Sequence, residues 1–259
     1  MSINSIAYNR HLSILDVLQE RGRVRVDELA DMLNVSPVTI RRDLDYLNEN
    51  GFLIRTHGGA GRIKHRQTLQ SESEFTEKGE ENVDEKARIA EKATEFIEPN
   101  DILFLNSGST ALFFLRALRD KRVRVITNNA AATDCSLALT VELLVLGGEY
   151  RERSKSFVGE FALNALKNIY STHTILGTNG ISVDQGLTTT VYQECNINQA
   201  MIENTHGSVI VLADHTKLGV VSNFVSASID AVDILVTDDQ CPPEFAQSLE
   251  DRGIKVIKT

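Results

Sequence analysis

The chain has 259 residues, 42% of them hydrophobic, and a formal charge of −9, enough length for one large or two smaller domains with a real core. That charge excludes a surface coated uniformly by nucleic acid, yet residues 1–66 carry 10 Lys and Arg against 8 Asp and Glu, while the remainder carries 17 against 28. A mildly basic head on an acidic body fits contact with an anionic polymer through the head alone.

In chain order, residues 10–22 predict an amphipathic helix with Leu12, Leu15 and Leu18 inward and Gly22 as its stop. VRV follows as a short extended piece, then the helix DELADML. After a break at Asn34-Val35 comes a longer helix, SPVTIRRDLDYLNEN, ended by Gly51. FLIRTHGGAGR reads as a strand running into a glycine-rich hairpin. Residues 64–83 are polar and weakly patterned and read as a linker with Phe75 as a candidate anchor. From Asp84 a helix, DEKARIAEKATEFI, leads into apolar runs that alternate with helical patterns: DILFLN, RVRVITN, VELLVLGG, HTILGTNG, SVIVLAD, AVDILVTD and IKVIKT. Continuous Val/Ile/Leu strands separated by helices predict an α/β body with a mainly parallel sheet covered on both faces. The expected division is therefore a head at 1–63, a linker at 64–83 and a body at 84–259.

Cys135, Cys195 and Cys241 are far apart and odd in number, so they suggest reduced core thiols rather than disulfides or a metal site, and no cofactor is implied. The N-terminal residues lack the apolar stretch of a signal peptide, and no 18-residue apolar run occurs. The expectation is a cytoplasmic protein without membrane contact.

In the third helix, an advance of ~100° per residue puts Ile40, Leu44 and Leu47 on one face. Val38 and Arg42 fall opposite, flanked by Thr39 and Arg41. Ser36 is a natural N-cap and Pro37 takes the first helical position, where its missing N–H costs least. A short helix, a tight turn and a helix with an outward Arg/Thr face make a helix-turn-helix that fits the major groove. The alternative is a solvated helix whose arginines pair with Asp43 and Asp45. THGGAGR supplies a basic hairpin, a wing, in which His57 is either a phosphate contact or a polar turn residue. The DNA-facing set is Ser36, Pro37, Val38, Thr39, Arg41, Arg42 and His57.

RVRVDELADMLNVSPVTIRRDLDYLNENGFLIRTHGGA resembles the N-terminal winged helix-turn-helix of the DeoR-type bacterial repressors, with Arg41, Arg42, Asp43, Leu44, Arg55, His57, Gly58 and Gly59 inside the match. The resemblance implies that the second helix of the motif reads operator DNA, beginning at Ser36.

In the body, DILFLNSGSTALFFLRAL delivers Asn106, Ser107, Gly108, Ser109 and Thr110 from a strand to a helix N-terminus, where free backbone N–H groups and the helix dipole attract an anion. The ordinary alternative is a turn with a Ser/Thr cap. Other strand ends add polar groups: Thr127, Asn128, Gly148, Asn179, Gly180, Asp214 and Lys217. Lys217 offers a compact charge to a phosphate, and Asp214 and Asn128 suit sugar hydroxyls. Arg151, Arg153 and Lys155 read as a solvated basic loop, and Asp238 and Asp239 as a cap and an exposed acid.

NSGSTA, TNN, LGG, GTNGIS…GLTT and ADHTKLG are similar in order and spacing to the DeoR-type sensor domain, which itself resembles the ribose-5-phosphate isomerase and CoA-transferase group. This likeness implies a repressor of a carbohydrate-utilisation operon, released by a phosphorylated sugar or sugar derivative. Asn106-Ser107 departs from the Asp and small residue of many relatives, a change at the sugar's hydroxyl contacts. Since a helix-turn-helix generally reads a palindrome, a homo-oligomer (dimer or tetramer) is expected. The competing reading is an active sugar-phosphate isomerase with a DNA-binding head. It needs a carboxylate base, for which Asp184 and Asp214 are the nominal candidates, but no catalytic constellation is recognisable.

Overall fold

The computed structural model describes residues 3–49, 52–61, 74–119 and 121–259. They divide into two compact units, one holding the residues up to Gly61 and the other those from Glu74 onward, with 223–225 grouped with the first.

The first unit runs α1 (Ile3–Arg21), β1 (Arg23–Arg25), α2 (Val26–Leu33), α3 (Pro37–Glu49), β2 (Ile54–Thr56) and β3 (Gly59–Gly61). Gly22 ends α1 in the left-handed conformation, φ +72°, which glycine adopts without the Cβ penalty of other residues. Its three strands form an antiparallel sheet in the order β1-β3-β2. Ile14, Leu15, Leu18, Leu29, Ile40, Leu44 and Leu47 form the buried core. Leu12, expected inward, is only half-buried, while His11 and Ile14 are buried. The face turns because the ring of His11 points in to meet Asp43, Nε2 to Oδ1 at 3.0 Å.

The second unit opens with α4 (Phe75–Glu80) and α5 (Val83–Ala93), followed by β4 (Ile102–Leu105), α6 (Ser109–Ala117), β5 (Val123–Thr127) and β6 (Val141–Val145). Next come a short hairpin, β7 (Glu149–Arg151) and β8 (Ser156–Val158), then α7 (Glu160–Leu166), β9 (Ser171–Gly177), β10 (Gly180–Ser182), β11 (Gly186–Thr189) and α8 (Tyr192–Glu203). The chain closes with β12 (Thr205–Leu212), β13 (Phe224–Ala227), β14 (Ile234–Thr237), α9 (Pro243–Glu250) and β15 (Lys255–Lys258). All seven apolar runs of the body are strands of one sheet, ordered β15-β14-β12-β9-β4-β5-β6, and every neighbouring pair in it is parallel. Both faces are covered: Leu103 and Leu105 join one core with Ile89 and Phe114, while Phe104 joins another with Ile197 and Met201. That two-sided burial is why these strands are continuously apolar.

Of the stretch expected as a linker, 64–73 lie outside the described residues. Phe75 within it begins α4, its N–H bonded to the Arg153 carbonyl at 2.9 Å, and its ring packs against the core of the second unit. Cys195 is completely buried, and burial pushes its thiol up to about 12, the state of an inert core thiol.

Strand order also locates a crevice. From β4 the chain steps to β5 and β6 in one direction, then returns to β9 on the other side of β4 and proceeds to β12, β14 and β15. Adjacent strands whose connections leave in opposite directions open a cleft at their carboxyl ends. Here those ends are Leu105 and Gly177, next to Leu212.

Candidate functional site

In the first unit, Ser36 caps α3: its hydroxyl accepts the Thr39 N–H at 3.1 Å and lies 2.8 Å from the Thr39 hydroxyl. Val38, Arg41 and Arg42 are exposed on the face opposite the buried Ile40, Leu44 and Leu47. The carboxylates that might have neutralised the arginines are engaged elsewhere. Asp43 is buried and holds Arg10 and His11, and Asp45 accepts from Arg55 Nε at 2.9 Å. Among the described residues neither Arg41 nor Arg42 has an ion-pair partner. His57 is exposed in the two-residue turn of the hairpin, beside Gly58 at φ +82°. Burial raises the Asp43 carboxyl, but the hydrogen bonds and charges of Arg10 and His11 outweigh it and hold the group below the ordinary 3.8.

In the second unit, a cavity opens at the crevice between β4 and β9. Asn106, Ser107, Gly108, Ser109, Thr110, Asn179 and Lys217 line it. The first hydrogen bond within α6 runs from the Leu112 N–H to the Gly108 carbonyl at 3.1 Å, so the amides of Ser109, Thr110 and Ala111 precede the helical ladder. The hydroxyls of Ser109 and Thr110 and the ammonium of Lys217 make no hydrogen bond or ion pair among the described residues. Free amides, hydroxyls and a cation at one helix N-terminus form an anion-binding arrangement.

Asn106 lines the same cavity, but its amide is already engaged. Nδ2 donates to the Gly177 carbonyl at 2.9 Å and to Asn198 Oδ1 at 3.1 Å, while Oδ1 accepts the Gly177 N–H at 2.9 Å. It locks the ends of β4 and β9 together. Thr127, Asn128, Gly148, Gly180 and Asp214 are not among the lining residues. Thr127 is wholly buried and accepts the Asn129 N–H at 3.0 Å. Asn128 braces the loop from behind, Nδ2 to the Phe157 carbonyl at 3.1 Å and to the Ser107 hydroxyl at 3.4 Å. Gly148 and Gly180 are needed for close backbone approach: an added Cβ would lie 2.4 Å from the Val158 carbonyl oxygen in the first and 2.4 Å from that of Val220 in the second. Asp214 caps the turn that carries Lys217, its Oδ1 accepting the Thr216 N–H at 3.0 Å. Asp238, expected as a cap, is fully buried and accepts the Gln240 and His215 N–H groups at 3.0 and 2.8 Å.

Two family models match the chain. The DeoR-like helix-turn-helix domain covers residues 10–66 and the DeoR C terminal sensor domain covers residues 81–239. The chain belongs to the DeoR family of transcriptional regulators. The uncharacterised helix-turn-helix regulator FruR of Bacillus subtilis (strain 168) is 32% identical over 96% of this chain and 98% of its own length. The glycerol-3-phosphate regulon repressor of Escherichia coli (strain K12) is 33% identical, covering 95% and 97%, and a putative aga operon transcriptional repressor of Escherichia coli O157:H7 is 31% identical, covering 96% and 92%. Among solved structures, a D-ribose-5-phosphate isomerase in complex with phospho-erythronic acid aligns over 51% of this chain and 52% of its own at 17% identity and a TM-score of 0.36.

The DeoR-family regulator's cavity also contains residues that reading along the chain passes over. Lys78 and Lys86 line it beside Lys217, and Glu194 and Asn198 reach it from α8. Lys86 is buried, and its ammonium donates to the carbonyls of Lys78 and of Glu81, the latter at 2.6 Å. Burial lowers its pKa, Asp214 opposes that shift and Lys217 adds to it. No local pattern marks these residues, because Lys86, Glu194 and Asn198 sit inside ordinary helices and only the fold turns them toward the cleft. The one exception is Lys86, a charged residue on the apolar stripe of α5 with Ile89, Ala90 and Ala93.

Proposed function

We propose that this DNA-binding regulator is a repressor of a carbohydrate-utilisation operon, and that a phosphorylated sugar or sugar derivative in the β4–β9 cavity releases it from its operator. The observation that carries this reading is the anion-ready N-terminus of α6 facing Lys217 at the sheet's switch point. The names of two relatives, repressors of a glycerol-3-phosphate regulon and of an aga operon, support it. In this reading Ser36, Pro37, Val38, Thr39, Arg41, Arg42 and His57 face DNA, and Ser107–Thr110, Asn179 and Lys217 contact the effector. Asn106, Thr127, Asn128, Gly148, Gly180 and Asp214 shape the cavity. The head is assigned to 1–63 and the body to 84–259, with α4 added to the body. Two or four copies of the chain in the cytoplasm present paired reading helices to a palindrome. The isomerase alternative gains nothing from its candidate bases, since Asp184 is exposed and Asp214 does not line the cavity.

Operator binding titrated with a panel of sugar phosphates tests both halves. Arg42→Ala is expected to lose about 1–3 kcal/mol of discrimination between operator and random DNA at fixed salt, while the body stays folded. Lys217→Met keeps most of the aliphatic length and deletes the charge. It is expected to hold the operator while binding its effector roughly 10–100-fold more weakly, the worth of one charge-assisted hydrogen bond. Normal release of Lys217→Met by sugar phosphate would remove that residue from the site, and unchanged discrimination by Arg42→Ala would remove it from the reading face.

A further inference from the structure

Glu194 is a buried carboxyl that the anion-binding account leaves without a task. It sits in the first turn of α8, is 8% exposed and lines the cavity. Its Oε1 accepts the Ser156 hydroxyl at 3.0 Å, and the Ser154 hydroxyl, 2.8 Å from that of Ser156, also hydrogen-bonds it. No ion pair reaches it among the described residues.

A carboxylate so enclosed would be costly in its charged form, and it would repel an anion bound in the same cavity. Burial pushes the Glu194 carboxyl up, with the hydrogen bonds from Ser154 and Ser156 and the charges of Lys78 and Arg151 acting against it. A carboxyl that holds its proton would be free of that conflict. It offers one O–H donor and several lone pairs, and two serine hydroxyls use only part of that capacity. A group that both donates and accepts is what a sugar hydroxyl needs. Leucine or alanine at this place would be less costly to bury, so the residue type calls for a polar ligand.

We propose that Glu194 is the specificity-determining residue of the cavity, hydrogen-bonding a hydroxyl of the bound phosphate monoester and so separating polyol and sugar phosphates from phosphate esters without hydroxyls. The proposal rests on the reading of the cavity as a phosphate-ester site. Asn198, one helical turn further along α8, already bonds Asn106 and Ser226 at 3.1 and 3.4 Å, which leaves Glu194 as the group of that face with the larger unused capacity.

The test uses the full chain and calorimetric titration with matched probes: glycerol 3-phosphate, erythrose 4-phosphate and glucose 6-phosphate, each against the n-alkyl phosphate of equal carbon number. The parent is expected to prefer its best hydroxylated probe over the alkyl partner by tenfold or more. Glu194→Leu is expected to bring that ratio below about threefold, and Glu194→Gln, which keeps shape and hydrogen-bonding capacity, to retain most of it. A parent-like ratio in Glu194→Leu overturns the proposal. Where Glu194→Leu fails to fold, Glu194→Gln and Glu194→Met decide, Met being expected to lose the ratio that Gln keeps. A parent that binds both probe classes equally overturns the hydroxyl reading alone, whereas a parent that binds neither overturns the phosphate-ester site as well.

Discussion

Asp43 joins α1 of the helix-turn-helix unit to α3. Arg10 contributes two hydrogen bonds, of which Nη2 to Oδ1 is 2.9 Å, and His11 contributes one of 3.0 Å. Removing one member of a buried charge cluster leaves the others desolvated and unpaired. Asp43→Ala is expected to destabilise the unit by about 3 kcal/mol, read as a shift in its urea midpoint at neutral pH. The sign of the pH dependence follows from the lowered carboxyl. Its stabilisation is fully present above the unfolded value of 3.8 and is lost as pH falls through the lower folded value. The gap between parent and variant should therefore be flat near neutrality and close only in acid. A gap that already closed near neutral pH would show that the Asp43 carboxylate does not carry the coupling.

At the scale of elements, the wing depends on its glycines. Gly59 pairs with Arg25 in the β1–β3 register, and a Cβ built on it would lie 2.1 Å from the Val24 carbonyl oxygen. No side chain can yield there, because the obstacle is backbone. Gly59→Ala is expected to cost about 2–3 kcal/mol, by the overpacking rule, and to weaken binding to operator and random DNA alike, since a displaced wing loses backbone contacts rather than base contacts. A thermal melt with the two DNA titrations measures both. Parent-like values in both would show that β1 can move aside. The neighbouring Gly58, with φ +82° and open space around it, is required for conformation rather than for room.

For the whole molecule, the expected outcome is that the two units act separately. A fragment spanning residues 74–259 retains the seven-stranded sheet, both of its covered faces and α4, whose Phe75 packs on that core. It should fold, bind the same sugar phosphate as the full chain and fail to retard operator DNA. A ligand at 100 times its dissociation constant should raise the fragment's stability by about 2.7 kcal/mol, visible in thermal shift. A fragment starting at Asp84, without α4, is expected to bind more weakly, because Phe75 and Lys78 line the cavity. Equal affinity of the two fragments would make α4 a bystander.

Local periodicity and punctuation are legible along the chain. The 3.6-residue stripe of Ile40, Leu44 and Leu47 specified α3, Ser36-Pro37 its start, and seven continuous apolar runs the buried parallel sheet. The loop Ser107–Thr110 was legible because strand, glycine and helix cap are contiguous in the chain. Contacts between distant residues were settled by tertiary structure alone. Asn106 looked like a ligand group, and only the adjacency of β4 and β9 shows its amide bound to Gly177 and Asn198. Lys86 and Glu194 looked like ordinary helix residues, and only packing buries them against one cavity. A local pattern reports which face of an element avoids water, but not which polar group on a distant element will meet it. That partner is set by strand order and register, through free energies summed over the whole core.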